Sequence, residues 1–211
     1  MVIIALIFCW LFFIKVGINC QSQYGKCSDE IMTGIAAFNG KNLVSAKAGV
    51  SKALKKNYIV SDFSLQFKLP NILSVQVLAK KPVFALYNTA TNQSALIGPE
   101  GETLSISSGT SLPRLFINQN LPKPGERVSA NYLFALKLIG GVFEMYQVGE
   151  GDLQSGSLTV DLPGPIKVIF PLEGDRDVIL GALKLIYAKT QGEGSRKFSQ
   201  IDLRYKNPVL R

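Results

Sequence analysis

No histidine occurs among the 211 residues, which removes the usual general base near neutral pH and the commonest metal ligand. Cysteine is scarce as well, with three residues at positions 9, 20 and 27. Cys20 and Cys27 without a histidine do not make a zinc site, and no metal or cofactor is expected. The chain also lacks a Gly-x-Ser-x-Gly elbow, a Ser-x-x-Lys pair, a P-loop and a dinucleotide fingerprint. Gly98, Gly101 and Gly109 have neither the spacing nor the helix context for the last of these. The one acidic cluster, Glu173, Asp175 and Asp177, stands before a helical pattern, where acids serve as cap and dipole partners more readily than as cation ligands. No catalytic residue stands out, so neither an enzyme nor a small-molecule substrate is expected.

Acids are outnumbered: 15 Asp and Glu against 23 Lys and Arg give a formal charge of +8. The bases are spread along the chain (Lys52, Lys68, Lys81, Lys184, Arg196) with few aromatics between them. A solvated basic surface therefore fits better than nucleic-acid binding. Hydrophobic residues make up 47%, enough for a core and too many for a disordered chain. They begin at once, because Met1 to Ile14 carries no charge and holds Cys9 and the only tryptophan, Trp10. About 14 helical residues reach ~21 Å, short of the ~30 Å hydrocarbon layer. Neither a basic leader nor a small-x-small cleavage site accompanies the run. We therefore expect a single-pass anchor over residues 1–15, the downstream part of a longer span with a cytosolic tail, ahead of a cleaved signal. Either outcome puts the chain from Val16 onward outside the cytoplasm, where Cys20 and Cys27 either bond to each other or remain two free thiols.

Periodicity organises the rest. "KVGINCQS" reads as a short strand and "CSDEIMTGI" as a short helix with Ser28 as N-cap. Ser45 is the expected cap of "AKAGVSKALKKN", where Ala46, Val50, Ala53 and Leu54 share one face. In "SLQFKLPNILSVQVLAKKPVF", Leu65 and Phe67 alternate with polar residues before Pro70-Asn71, and Ile72, Val75 and Val77 follow it, the pattern of a half-buried hairpin. Beyond Val83 the chain is mostly strand. A helix in "RVSANYLFALKLIGG" is expected to stop at Gly140-Gly141, "VFEMYQV" to resume as strand, and "VGEGDLQSGS" to form a solvated connection. Asp175 caps a second helix, and "KFSQIDLRYKNPVL" is a final strand.

"GKNLVSAKAGVSKALKKNYIVSDFSLQFKLPNILSVQVLAKKPV" resembles the POTRA module of the bacterial division proteins FtsQ/DivIB. Gly40, Asn42, Tyr58, Ile59, Leu69, Pro70, Asn71, Val75, Val77, Lys81, Pro82 and Val83 carry the match. "IDLRYKNPV" is similar to the last strand of the same family, whereas residues 88–156 match only weakly. The resemblance implies an α+β protein with a transmembrane anchor over 1–15, a βααββ POTRA-like domain over 16–82 and a mostly antiparallel FtsQ-type β domain with two helices over 83–211. It further implies a non-enzymatic divisome scaffold at the septal plasma membrane, most of it extracytoplasmic, with small FtsB-like and FtsL-like single-pass proteins as partners.

The family's contact tyrosine falls on Tyr205. Arg204, Tyr205, Lys206 and Asn207 are accordingly the expected partner-binding residues, on an edge strand that pairs with the partner's main chain. Two alternatives remain open: a secreted or envelope ligand-binding protein, and a POTRA-bearing transport component. The latter is disfavoured because no series of barrel strands follows Pro82.

Overall fold

A computed structural model describes residues 14–154, 156–164, 166–190 and 198–211. Among the described residues four helices and two sheets form two compact units that divide between Lys81 and Pro82.

The expected anchor is corrected here, and with it the single-pass location at the plasma membrane. Among the described residues no helix is long and apolar enough to cross a membrane. Ile14 and Lys15, which close the expected span, are not helical: Lys15 forms an isolated antiparallel bridge with Asn42. Val16 is already in the core of the first unit, 1% exposed, its N–H donating to the Lys41 carbonyl. Residues 1–13, with Cys9 and Trp10, lie outside the described residues.

The first unit is a four-stranded sheet in the order β2-β1-β4-β3, comprising β1 (Gly17–Ser22), β2 (Gly25–Lys26), β3 (Val60–Lys68) and β4 (Ile72–Ala79). Helices α1 (Asp29–Ala36) and α2 (Leu43–Lys56) share its core. Ile31 and Ile35, four apart, and Ala46, Val50 and Leu54, at the same spacing, form the buried helix faces. The α2 cap is Asn42 and not Ser45: the Asn42 Oδ1 accepts from the Ser45 N–H at 2.8 Å, one turn before the expected start.

β1 runs parallel to β4, and β4 antiparallel to β3 with Leu65 opposite Val75 and Phe63 opposite Val77. Leu73, Val75 and Val77 face the helices, whereas Ile72 turns outward. The turn holds a cis Leu69-Pro70 bond.

Cys20 on β1 is bonded to Cys27 just past β2, with Cα atoms 5.6 Å apart. Closing a loop this short removes roughly 2–3 kcal/mol of denatured-state entropy. Cys27→Ser is therefore expected to lower the urea-unfolding free energy of oxidised protein by about that amount while leaving reduced protein nearly unaffected; equal midpoints before and after reduction of the wild type would contradict it.

The second unit is a nine-stranded sheet, β13-β12-β11-β10-β9-β8-β5-β6-β7. Its strands are β5 (Phe84–Asn88), β6 (Gln93–Ile97), β7 (Thr103–Ser107), β8 (Arg114–Ile117), β9 (Glu150–Gln154), β10 (Ser157–Leu162), β11 (Ile166–Phe170), β12 (Gln200–Asp202) and β13 (Val209–Leu210). The expected antiparallel character is modified by three parallel pairings: β5 with β8, β8 with β9, and β11 with β12. Two of these are crossovers through helices, α3 (Ala130–Tyr146) between β8 and β9, and α4 (Arg176–Thr190) between β11 and β12. Both crossovers step the same way along the sheet, so right-handed connections put both helices on one face. Leu136, Ile139, Val142 and Leu183 join Leu115, Leu158, Val168 and Phe170 there in one core.

α3 does not stop at Gly140-Gly141, and "VFEMYQV" is helix to Tyr146 rather than strand. A Cβ at Gly140 would lie 2.7 Å from the Phe84 ring, and one at Gly141 2.2 Å from a Leu180 methyl. The pair is therefore a point of close approach inside the helix, which ends instead at Gln147 in the left-handed conformation.

Candidate functional site

The second unit presents two surfaces with polar and aromatic residues grouped on them. The first is the C-terminal end of the sheet. β12 runs parallel to β11, and β13 folds back on β12 with Ile201 opposite Leu210 and Asp202 opposite Val209. The expected continuous last strand is therefore broken. Arg204, Tyr205, Lys206 and Asn207 lie in the loop between β12 and β13, and the edge main chain belongs to Val209 and Leu210.

Asp202 explains the break. Its side chain is buried, and its carboxylate turns back to accept from the Arg204 N–H at 3.1 Å, Nε at 2.9 Å and Nη2 at 2.6 Å. The last two bonds make a bidentate pair. A carboxylate bonding to a backbone N–H two residues on bends the chain, and Pro208 has no N–H to continue a ladder. The Arg204 hydrogen bonds outweigh burial and hold the Asp202 carboxyl below the usual carboxylate range. They also raise the Arg204 guanidinium above its ordinary value.

Fixed in this way, the Arg204 guanidinium sits 5.8 Å from the centre of the Tyr205 ring. Tyr205 is 56% exposed, a large aromatic held on the surface by a cation that is itself tied to a buried acid. The structure thus brings Arg204 and Tyr205 together, while Lys206 and Asn207 are exposed and make no side-chain bond among the described residues. Sequence reasoning missed Asp202, because simple alternation puts it with the outward set.

The second surface is the sheet face opposite the helices, where a groove of about 1000 Å³ crosses β8 to β11. Arg114 on β8 stands 5.1 Å from the Tyr87 ring and 5.4 Å from the Phe116 ring, and its guanidinium pairs with Glu150 on β9. Thr159, Asp161 and Lys167 continue the groove across β10 and β11. These residues come from strands far apart in sequence and leave no local motif to find.

The expected solvated connection at 148–157 is largely strand β9 in this face. Gly151 is a packing position, since a Cβ there would lie 2.4 Å from Ile139 Cδ1. Asp175 caps α4, its Oδ1 accepting from the Asp177 and Val178 N–H groups, and among the described residues no group of acids or cysteines could hold a metal.

No protein-family model matches the chain, and no curated protein matches it either.

Proposed function

We propose that this protein is a non-enzymatic scaffold of the bacterial division machinery. In this reading the second unit captures a segment of a small FtsB-like partner, itself working with an FtsL-like protein, at the β12–β13 end of the nine-stranded sheet. The observation that carries the reading is Tyr205, exposed beside the edge strand and held in place by the Asp202–Arg204 pair. An exposed, preorganised aromatic next to an edge strand that pairs on one side alone among the described residues has the parts that strand addition uses: backbone bonds for affinity and side chains for selection.

The resemblance adds support through "IDLRYKNPV" and through the first unit's order of β1, two helices, β3 and β4, to which the short β2 is added after β1. The Cys20–Cys27 bond fits an oxidising environment. The partner extends the sheet at Val209 and Leu210 while its side chains meet Tyr205 and Arg204.

The experiment is a pull-down with the FtsB-like segment, comparing wild type with Tyr205→Ala, Arg204→Glu and Lys206→Pro. Loss of capture in the first two supports the reading; unchanged capture in all three, with folding intact, removes it. A second reading, a secreted or envelope ligand-binding protein, is favoured by the groove around Arg114, Tyr87 and Phe116. Charge reversal at Lys167 would weaken ligand capture in that case and leave the partner segment's binding untouched.

A further inference from the structure

Helix α4 is apolar on two sides. Its inner side puts Leu180 and Leu183 into the core of the second unit, with Ile179, Ile186 and Tyr187 packed against it. A helix lying on a sheet is expected to be polar on the side away from it. Val178 and Leu185 break that rule at 67% and 69% exposure, the two most exposed large apolar side chains of this unit among the described residues. Seven residues apart, they stand on one line along the helix, two turns from each other, with Gly181 and Ala182 between them.

Gly181 is a second observation on the same line. A Cβ there would meet nothing within 4 Å, unlike Gly140, Gly141 and Gly151, where it would run into neighbouring side chains. A glycine weakens a helix relative to alanine, and nothing among the described residues makes use of the missing side chain. Another helix crossing at that point would use it, because its axis then comes closer. The charges along α4 are ordered as well. Asp177 stands before the line, its side chain 85% exposed although it touches Arg176, and Lys184 follows seven residues later on the same flank. Neither Lys184 nor Lys189 forms an ion pair among the described residues.

We propose that α4 pairs with α4 of a second copy of this chain, antiparallel, about a two-fold axis that passes beside Gly181 and Ala182. That axis sets Val178 against the partner's Leu185, and it carries each flank onto the same flank of the other copy. Asp177 then meets the partner's Lys184, and Lys184 meets the partner's Asp177. A parallel pair would set acid against acid and base against base, so the order of the charges selects the antiparallel one. The contact is small. Two helix faces ~22 Å long bury on the order of 800 Å² in total, under the ~1,200 Å² of a stable complex, so the dimer is weak and forms reversibly as concentration rises.

The test is sedimentation equilibrium of the full chain from about 10 µM to about 1 mM, with a monomer–dimer equilibrium of Kd on the order of 100 µM as the expected result. Gly181→Leu, which has room in the monomer, should weaken the dimer at least about tenfold, as should Val178→Glu with Leu185→Glu. The charges give the sharper readout. Asp177→Lys or Lys184→Asp alone sets like charges opposite each other and weakens association, whereas the two together restore it. All the substituted positions are exposed, and an unchanged urea midpoint verifies folding. A chain that stays monomeric, a dimer indifferent to Gly181→Leu, or a double charge exchange that does not restore association would overturn the proposal. So would binding of phosphatidylglycerol vesicles that depends on Val178 and Leu185 in a chain that stays monomeric.

Discussion

Val75→Asp is expected to destabilise the first unit by about 4 kcal/mol or more, enough to unfold a domain of ordinary marginal stability. Val75 is fully buried on β4, with Cys20 of β1 on one side and Leu65 of β3 on the other. It shares its core with Ile31, Val50 and Leu54 of the two helices. A carboxylate there has no cation among its core neighbours and would either be buried as a charge or take up a proton at a similar cost. Limited proteolysis and urea unfolding followed by circular dichroism measure the effect. Wild-type protease resistance in the variant would mean that this face of the hairpin is assigned wrongly.

Arg204→Glu should open the β12–β13 hairpin at neutral pH. In the wild type the Asp202 carboxyl has a folded pKa held below its unfolded value of about 4. Such a group contributes stability that is fully present above about pH 4 and is lost as the pH falls through the folded pKa. The protection factors of the Gln200 and Arg211 amides, which bond each other across the hairpin, should therefore be high at pH 7 and fall only in acid. With glutamate at position 204 the cation is replaced by a second anion, and exchange should be fast at pH 7 as well. Arg204→Lys should fall between, since lysine cannot reproduce the bidentate fork. Exchange that ignores both substitutions would show that the pair does not hold the hairpin.

Where apolar side chains repeat at the period of their own element, the structure follows the pattern. Ala46, Val50 and Leu54 mark α2, and the alternation of Leu65 and Phe67 marks β3. The exceptions are mostly glycines. Gly140, Gly141 and Gly151 look like stops and turns because the chain contains no sign of what comes against them. Phe84, Leu180 and Ile139 are brought there by tertiary packing alone. A glycine chosen for its missing side chain and one chosen for a turn are the same letter.

The site was partly legible for a related reason. Tyr205 and Arg204 could be picked out, yet the strand assigned to them breaks because Asp202 takes its hydrogen bonds from the chain just ahead. Alternation cannot register that competition. The groove residues Arg114 and Glu150, 36 apart in the chain, meet only because β8 and β9 are joined by a crossover helix.

The partner-binding account turns on where a bound segment lies. Hydrogen exchange of the full chain, with and without the FtsB-like segment, reads this directly. The account predicts new protection at Val209 and Leu210 and around Tyr205, with no change across Arg114, Glu150 and Thr159. Protection confined to the groove strands, or none at all at saturating segment, would contradict it.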